Sequence, residues 1–229
     1  MSATLQTLDR GLRALDFIAR SPAGVSVSAV ADHLQVHRAI AYRIVATLEA
    51  HHLVKRTADA RVRLGAGIAA LSRRFAPQLL DAARPVLRDL VTATHATAFL
   101  SVAEGEECVV VAVEEDQRLR HGLRVSYQEG TRHPINRGAP GIAILATRPA
   151  SPDDSDDVRA ARDLGYSVTR GQLQAGAVGV SVGLSIPDHL AVVAPEASVG
   201  VVALGDLDVE TAGQASQEAA RRLLEVLSA

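Results

Sequence analysis

The stretch SVSAVADHLQVHRAIAYRIVATLE, residues 26–49, limits the fold of this chain more than any other. It holds two apolar periodic segments separated only by the short break "QVH", so two helices must follow one another through a tight turn. Ser26 or Ser28 can cap the first, which sets Val30, Ala31 and Leu34 on one face. At about 100° per residue, the second, over residues 38–50, gathers Ala41, Ile44, Val45 and Leu48 on one side and Ala39, Tyr42, Arg43 and Ala46 on the other. The first side needs a core. The second is unusual for a solvated face, because small residues stand beside Arg and Tyr in place of a Glu/Lys mixture.

The flanking sequence supplies both the core and a reason for that second face. Leu8, Leu12, Leu15 and Ile18 recur at helical spacing before "RSPAG" stops the pattern, giving a helix ahead of the pair. After the pair, "HLVKRT" and "RVRLG" alternate in character around "ADA", which predicts a two-stranded hairpin with Lys55, Arg56, Arg61 and Arg63 on or near its tip. Three helices followed by a basic hairpin make a winged helix-turn-helix, whose last helix enters the major groove of double-stranded DNA. Small side chains let the backbone approach, Arg43 can reach a phosphate or a guanine edge, and Tyr42 can donate or stack. His37 and Arg38 sit at the helix start, where free backbone donors favour a phosphate. The candidate DNA-binding set is therefore His37, Arg38, Ala39, Tyr42, Arg43, Lys55, Arg56 and Arg61, the wing residues lying along the phosphate backbone or in the minor groove. A merely solvated helix face is the competing reading of residues 38–50.

Charge divides along the same line. Residues 1–75 carry 11 Lys plus Arg against 5 Asp plus Glu, and residues 76–229 carry 13 against 21, so a net charge of only −2 conceals a basic part and an acidic one. No run approaches 18 apolar residues, so no membrane partner is expected, and "MSATLQTLDRG" lacks the basic-then-apolar order of a secretion signal; a cytoplasmic location is the expectation. The single Cys108, within "CVVVAV", reads as a small core residue.

The rest of the chain predicts an α+β fold. "GAGIAALSRRFA" continues as a helix to about Phe75, Pro77 marks a break, and "QLLDAARPVLRDLVTAT" is a further helix. "ATAFLSVA", "ECVVVAVEE", "LRVSYQE", "AVGVSVGLSI" and "ASVGVVALGDL" have strand character; "GAPGIAILA" is a loop feeding a helix, "DDVRAARDLGY" is a helix and the chain closes on an amphipathic one. The expected division is a DNA-binding domain over residues 1–65, a linker helix region over 66–84 and a second domain over 85–229. No Gly-x-Ser-x-Gly elbow or grouped acid, base and nucleophile marks an enzyme. His51 and His52, adjacent on a helix, point about 100° apart and do not suit a metal. No cofactor or metal is expected.

The order of "TLDRGLRALDFIA", "SVSAVADHLQVHRAIAYRIVATLEAHHLVKR" and "RVRLGAGIAAL", then "LLDAARPVLRDLV", "HPINRGAPGIAILA" and "RDLGYSVTRGQLQAGAVGVSV", resembles the IclR family of bacterial transcriptional regulators over nearly the whole chain. The resemblance implies a GAF-like C-terminal domain that binds a small-molecule effector, often a carboxylic or aromatic metabolite, and a homodimer or dimer of dimers on a pseudo-palindromic operator. It points to Gly138, Ala139, Pro140 and Gly141 at a helix start, with Gln172, Gly179, Val202 and Leu204, as the effector-binding residues. Four departures matter. Gln35 stands where Gly is common in the turn, which costs little if its backbone angle is negative. Ala39 and Ile40 replace a usual hydroxyl pair, shifting contact onto Arg38, Tyr42 and Arg43. Gln172, Val202 and Leu204 replace acidic and hydroxyl residues, which predicts a more apolar pocket for an aromatic or aliphatic ligand. The segment between Ala146 and Gly165 is short; "ASPDDSDD" within it reads as a solvated loop or helix start. The leading expectation is a DNA-binding transcriptional regulator, a repressor, with an effector-binding domain. A regulator whose second domain only oligomerises, and a metabolite-binding or enzymatic module with an accessory basic domain, remain alternatives.

Overall fold

Apolar spacing in the first third is realised as three helices, α1 (Gln6–Ala19), α2 (Val27–Leu34) and α3 (Arg38–Ala50), and a hairpin of β1 (Val54–Arg56) and β2 (Val62–Leu64). The structure, a computed structural model, describes residues 4–115, 127–186 and 195–228. It divides into two units, residues 1–75 and 76–229.

In the first unit Ser26 caps α2, its hydroxyl accepting from the Ala29 N–H at 3.1 Å. The four α3 residues expected inside, Ala41, Ile44, Val45 and Leu48, are all buried and pack with Ala14, Ile18, Val30, Ala31, Leu34, Val54 and Val62. Val25 bridges to Val62, which joins the segment before α2 to the wing. Two expectations are corrected. Of the α1 stripe only Leu15 and Ile18 reach the core, joined by Ala14; Leu8 and Leu12 are 59% and 54% exposed, because the core beneath α1 extends no further than its second half. Gln35, the C-cap of α2, has φ +53° and not a negative angle, so a side chain occupies a left-handed turn that glycine adopts freely. A short α4 (Gly67–Ser72) ends the unit and buries no residue.

The second unit is an α+β layer structure. Its six-stranded antiparallel sheet has the order β5-β4-β3-β8-β7-β6, formed by β3 (Thr97–Glu104), β4 (Glu107–Glu114), β5 (Arg132–Pro134), β6 (Ser167–Arg170), β7 (Ala177–Leu184) and β8 (Ala197–Leu204). On one face α5 (Pro77–Thr94), through Leu79, Ala83, Leu87 and Leu90, and α8 (Val209–Ser228), through Ala212, Ala219 and Leu223, close over Leu100, Val199, Val201, Val180 and Val182. The alternating positions face the other way, and six of them are small: Ser101, Ser198, Gly200, Gly179, Ser181 and Gly183. There α6 (Gly138–Thr147) lies directly on the sheet. A Cβ on Gly183 would stand 2.4 Å from the Ala143 carbonyl oxygen, so only glycine fits beneath the helix. Helix α7 (Asp156–Leu164) packs Val158 and Ala161 against Ile142 of α6.

Strands β5 and β6 were not foreseen. The expected strand "LRVSYQE" lies outside the described residues over 123–126, and Tyr127 and Gln128 belong to neither helix nor strand. The acidic stretch before α7 is solvated loop and helix start, as its composition predicts, with Ser155 as the α7 cap. Arg162 anchors it, its guanidinium meeting the Ala146 and Leu145 carbonyls at 3.1 and 3.3 Å and Asp154 at 2.5 Å.

Candidate nucleic-acid interface and ligand pocket

Helix α3 leaves its start open. His37 precedes it in extended conformation, no side chain caps it, and the first helical hydrogen bond is that of Ile40 to the His37 carbonyl, so the Arg38 and Ala39 N–H groups stand ahead of the ladder. His37, Arg38, Ala39, Tyr42 and Arg43 are all exposed. The side chains of Arg38, Arg43 and Lys55 have no hydrogen-bond or ion-pair partner among the described residues, which leaves three cations for a polyanion.

The remaining wing cations are committed within the fold. The Arg56 guanidinium lies 5.5 Å from the centre of the Tyr42 ring, with Nε 3.2 Å from Glu49 Oε2, while the Arg56 N–H donates to Glu49 Oε1 at 3.2 Å. This ties β1 to the outer face of α3. Arg61 Nη1 donates to the Gly24 carbonyl at 2.9 Å and Arg63 Nη2 to the Ala23 carbonyl at 3.1 Å, so both arginines brace the foot of the wing. At the tip, the Thr57 hydroxyl donates to Asp59 and holds that carboxyl below its usual range.

The second unit contains a cavity of about 440 Å³ between the start of α6 and the exposed end of the sheet. Of the eight residues indicated by sequence, Ala139, Pro140, Gln172, Gly179 and Val202 line it. Gly138, Gly141 and Leu204 do not. Gly138 has φ +77° and is covered by Leu173, Gly141 is pressed against the Ile135 carbonyl oxygen, 2.1 Å from where a Cβ would lie, and Leu204 packs with the Phe99, Tyr127 and Val202 cluster. The walls are not as apolar as expected. Tyr127, Thr131, Arg132, His133, Thr169, Gln172 and Gln174 share them with Phe99, Leu173, Ala177 and Val202.

The α6 start is filled from within. Gly138 N–H donates to Gln172 Oε1 at 2.8 Å and Ala139 N–H to Thr169 Oγ1 at 3.1 Å. Gln172 is itself held, its Nε2 donating to Asp157 Oδ2 at 3.0 Å and its carbonyl accepting from Arg137 Nη2 at 2.7 Å. At the other side of the cavity the Tyr127 hydroxyl is 3.3 Å from His133 Nε2, and the Tyr127 ring meets Phe99 edge-on with centroids 4.9 Å apart. His133 Nδ1 lies 3.1 Å from the Pro134 carbonyl, which can only accept, so Nδ1 carries the proton and Nε2 accepts from Tyr127. Burial lowers the basicity of His133 and weakens the acidity of Tyr127, keeping both neutral at pH 7. Beside them Cys108 is fully buried, its thiol pushed up to about 12 by burial, and the Ser101 hydroxyl is buried without a hydrogen-bond partner among the described residues. Tyr127, His133 and Thr169 carried no local signal in sequence; only the pairing of β4 with β5 and β6 with β7 brings their segments to one cavity. Among the described residues there is no cluster of three metal-binding side chains, and no helix is long and apolar enough to cross a membrane.

Residues 7–58, which take in α2, α3, the first wing strand and all of α1 but Gln6, match the IclR helix-turn-helix domain. The first unit therefore carries an IclR helix-turn-helix domain. The chain is 28% identical over 153 residues to the HTH-type transcriptional regulator BhcR of Paracoccus denitrificans, an alignment covering 63% of this chain and 52% of BhcR. It is 24% identical over 145 residues to the transcriptional repressor IclR of Escherichia coli, covering 62% and 53%. The chain thus matches about half the length of these curated relatives. Its fold follows a crystal structure of an IclR homologue complexed with 4-hydroxybenzoate from Microbacterium hydrocarbonoxydans with a TM-score of 0.77, at 20% identity over 97% of this chain and 99% of that one. The second unit thus shares the α+β fold of that structure.

Proposed function

We propose that this protein is a sequence-specific DNA-binding transcriptional regulator acting as a repressor in the cytoplasm, and that its second unit assembles a homodimer or dimer of dimers and binds a small-molecule effector. The observation that carries the DNA reading is the outward face of α3. It combines an uncapped start, two uncommitted arginines, small residues at Ala39 and Ala46, and a tyrosine already aligned with the wing through Arg56. Residues 1–65 form the DNA-binding domain in this reading, 66–84 the linker and 85–229 the effector-binding domain. Arg38, Arg43 and the α3 amides supply phosphate and base contacts, and Lys55 adds a phosphate contact from the wing. Effector control is a shift between two dimer geometries that changes the spacing of two recognition helices, an effect worth roughly 1–3 kcal/mol. The cavity supports the effector half of the reading, and the complex of the Microbacterium relative makes small aromatic compounds the first class to try.

The test is fluorescence anisotropy of the protein on DNA taken from upstream of its own gene, against scrambled DNA, over a salt series. A preference for the upstream DNA with a steep salt slope supports a regulator. Equal, weak binding to the upstream and scrambled DNA argues against specific readout of that region by α3.

A further inference from the structure

We propose that the cavity selects a neutral, hydroxyl-bearing ring compound over a carboxylate, and that Gln172 sets this choice by occupying the α6 amides. The inference rests on the cavity being the effector site and names the class of ligand it takes.

A carboxylate needs donors or a cation. The two amides at the start of α6 already donate, to Gln172 Oε1 and Thr169 Oγ1. Displacing the Gln172 side chain would also break its bond to Asp157, and Asp157 behind it adds a negative charge on that side. The one guanidinium in the described wall, Arg132, is spent on Glu107 at 2.7 Å and Glu104 at 3.1 Å. An incoming anion would therefore lose water without gaining a free positive partner.

The opposite end suits a neutral hydroxyl. Tyr127 donates to His133, which leaves the phenol oxygen's lone pairs to accept a proton from a ligand. Between these ends Phe99, Leu173, Ala177 and Val202 offer apolar walls for a ring. The volume falls within the roughly 300–1,000 Å³ of small-molecule sites.

The experiment is isothermal titration of the full chain with phenol, benzoate and toluene at up to millimolar concentrations. The wild-type protein is expected to bind phenol at least tenfold more tightly than benzoate. Gln172→Ala, which frees the Gly138 amide, is expected to narrow that ratio tenfold or more by gaining benzoate affinity. Tyr127→Phe is expected to weaken phenol at least fivefold while leaving toluene unchanged, a readout independent of how well the Gln172 variant folds. Wild-type binding of benzoate as tight as phenol overturns the inference and leaves the effector site standing, and so does a Tyr127→Phe protein that holds phenol as before. An unchanged phenol-to-benzoate ratio in a folded Gln172→Ala protein removes Gln172 from the selection. Silence with all three probes overturns the effector site together with the inference, while DNA binding is judged separately by anisotropy.

Discussion

Two helices of this protein begin in the same way and end up with opposite surroundings. Both α3 and α6 follow a residue in extended conformation, His37 and Arg137, that provides no side-chain cap. The start of α3 faces solvent, and no described residue of the unit competes for its first amides. The start of α6 is buried, where an unpaired N–H is costly, and the fold supplies Gln172 and Thr169 from a distant segment to fill it. An uncapped helix start is thus a binding site only where the protein has not already answered it.

The contrast can be broken at either end. Arg43→Ala should weaken operator binding by roughly 1–3 kcal/mol if Arg43 reads a base, measured by anisotropy with melting unchanged; full affinity would take α3's outer face out of the interface. Thr169→Val should cost about 1–2 kcal/mol in urea unfolding, since it strands the buried Ala139 amide. A midpoint equal to wild type would mean that α6 tolerates an open start as α3 does. Gln35→Gly should stabilise the first unit by up to about 1 kcal/mol, because relief of the left-handed side chain outweighs the extra freedom of glycine in the unfolded chain. In the wing, Lys55→Ala should lower the slope of log affinity against log salt by about one unit at constant stability. Arg56→Ala should instead cost roughly 0.5–1 kcal/mol of stability through its stacking on Tyr42.

The smallest expected effect concerns pH. Burial depresses the basicity of His133 in the folded state, so below the ordinary value of about 6.5 the unfolded chain takes up the proton first. The second unit keeps its full stability above that value and loses some as pH falls through and below it toward the folded value. The Tm against pH between 7 and 5 should flatten in His133→Asn, and an unaltered profile would show that His133 is not the group responsible.

The sequence made the first unit legible because its information is local. Periodicity alone placed Ala41, Ile44, Val45 and Leu48 inside and Tyr42 and Arg43 outside, as the structure has them. It could not tell that Leu8 and Leu12 would remain exposed, since amphipathic spacing says which residues share a face and not how far a core extends beneath it. Gln35 was misjudged because propensity favours glycine in a left-handed turn, and the fold accepts the strain. The pocket was less legible. The three-residue β5, with its proline, is too short to alternate, and the meeting of Tyr127, His133, Thr169 and Gln172 depends on strand pairings that no local pattern encodes. Loss of acidic and hydroxyl residues in the chain was read as loss of polarity, yet other segments return polar groups to the same space.

Arg61 and Arg63 hold the base of the hairpin to the carbonyls that precede α2, and Arg56 holds its first strand to α3. Helix α3 and wing are thereby a single preassembled part, and in the proposed role the entropy of aligning them is lost when the unit folds and not again on binding DNA. For such a part the folded state and the competent state coincide. Intrinsic affinity for a half-site should hold nearly level on warming, then vanish over the same few degrees in which the first unit melts.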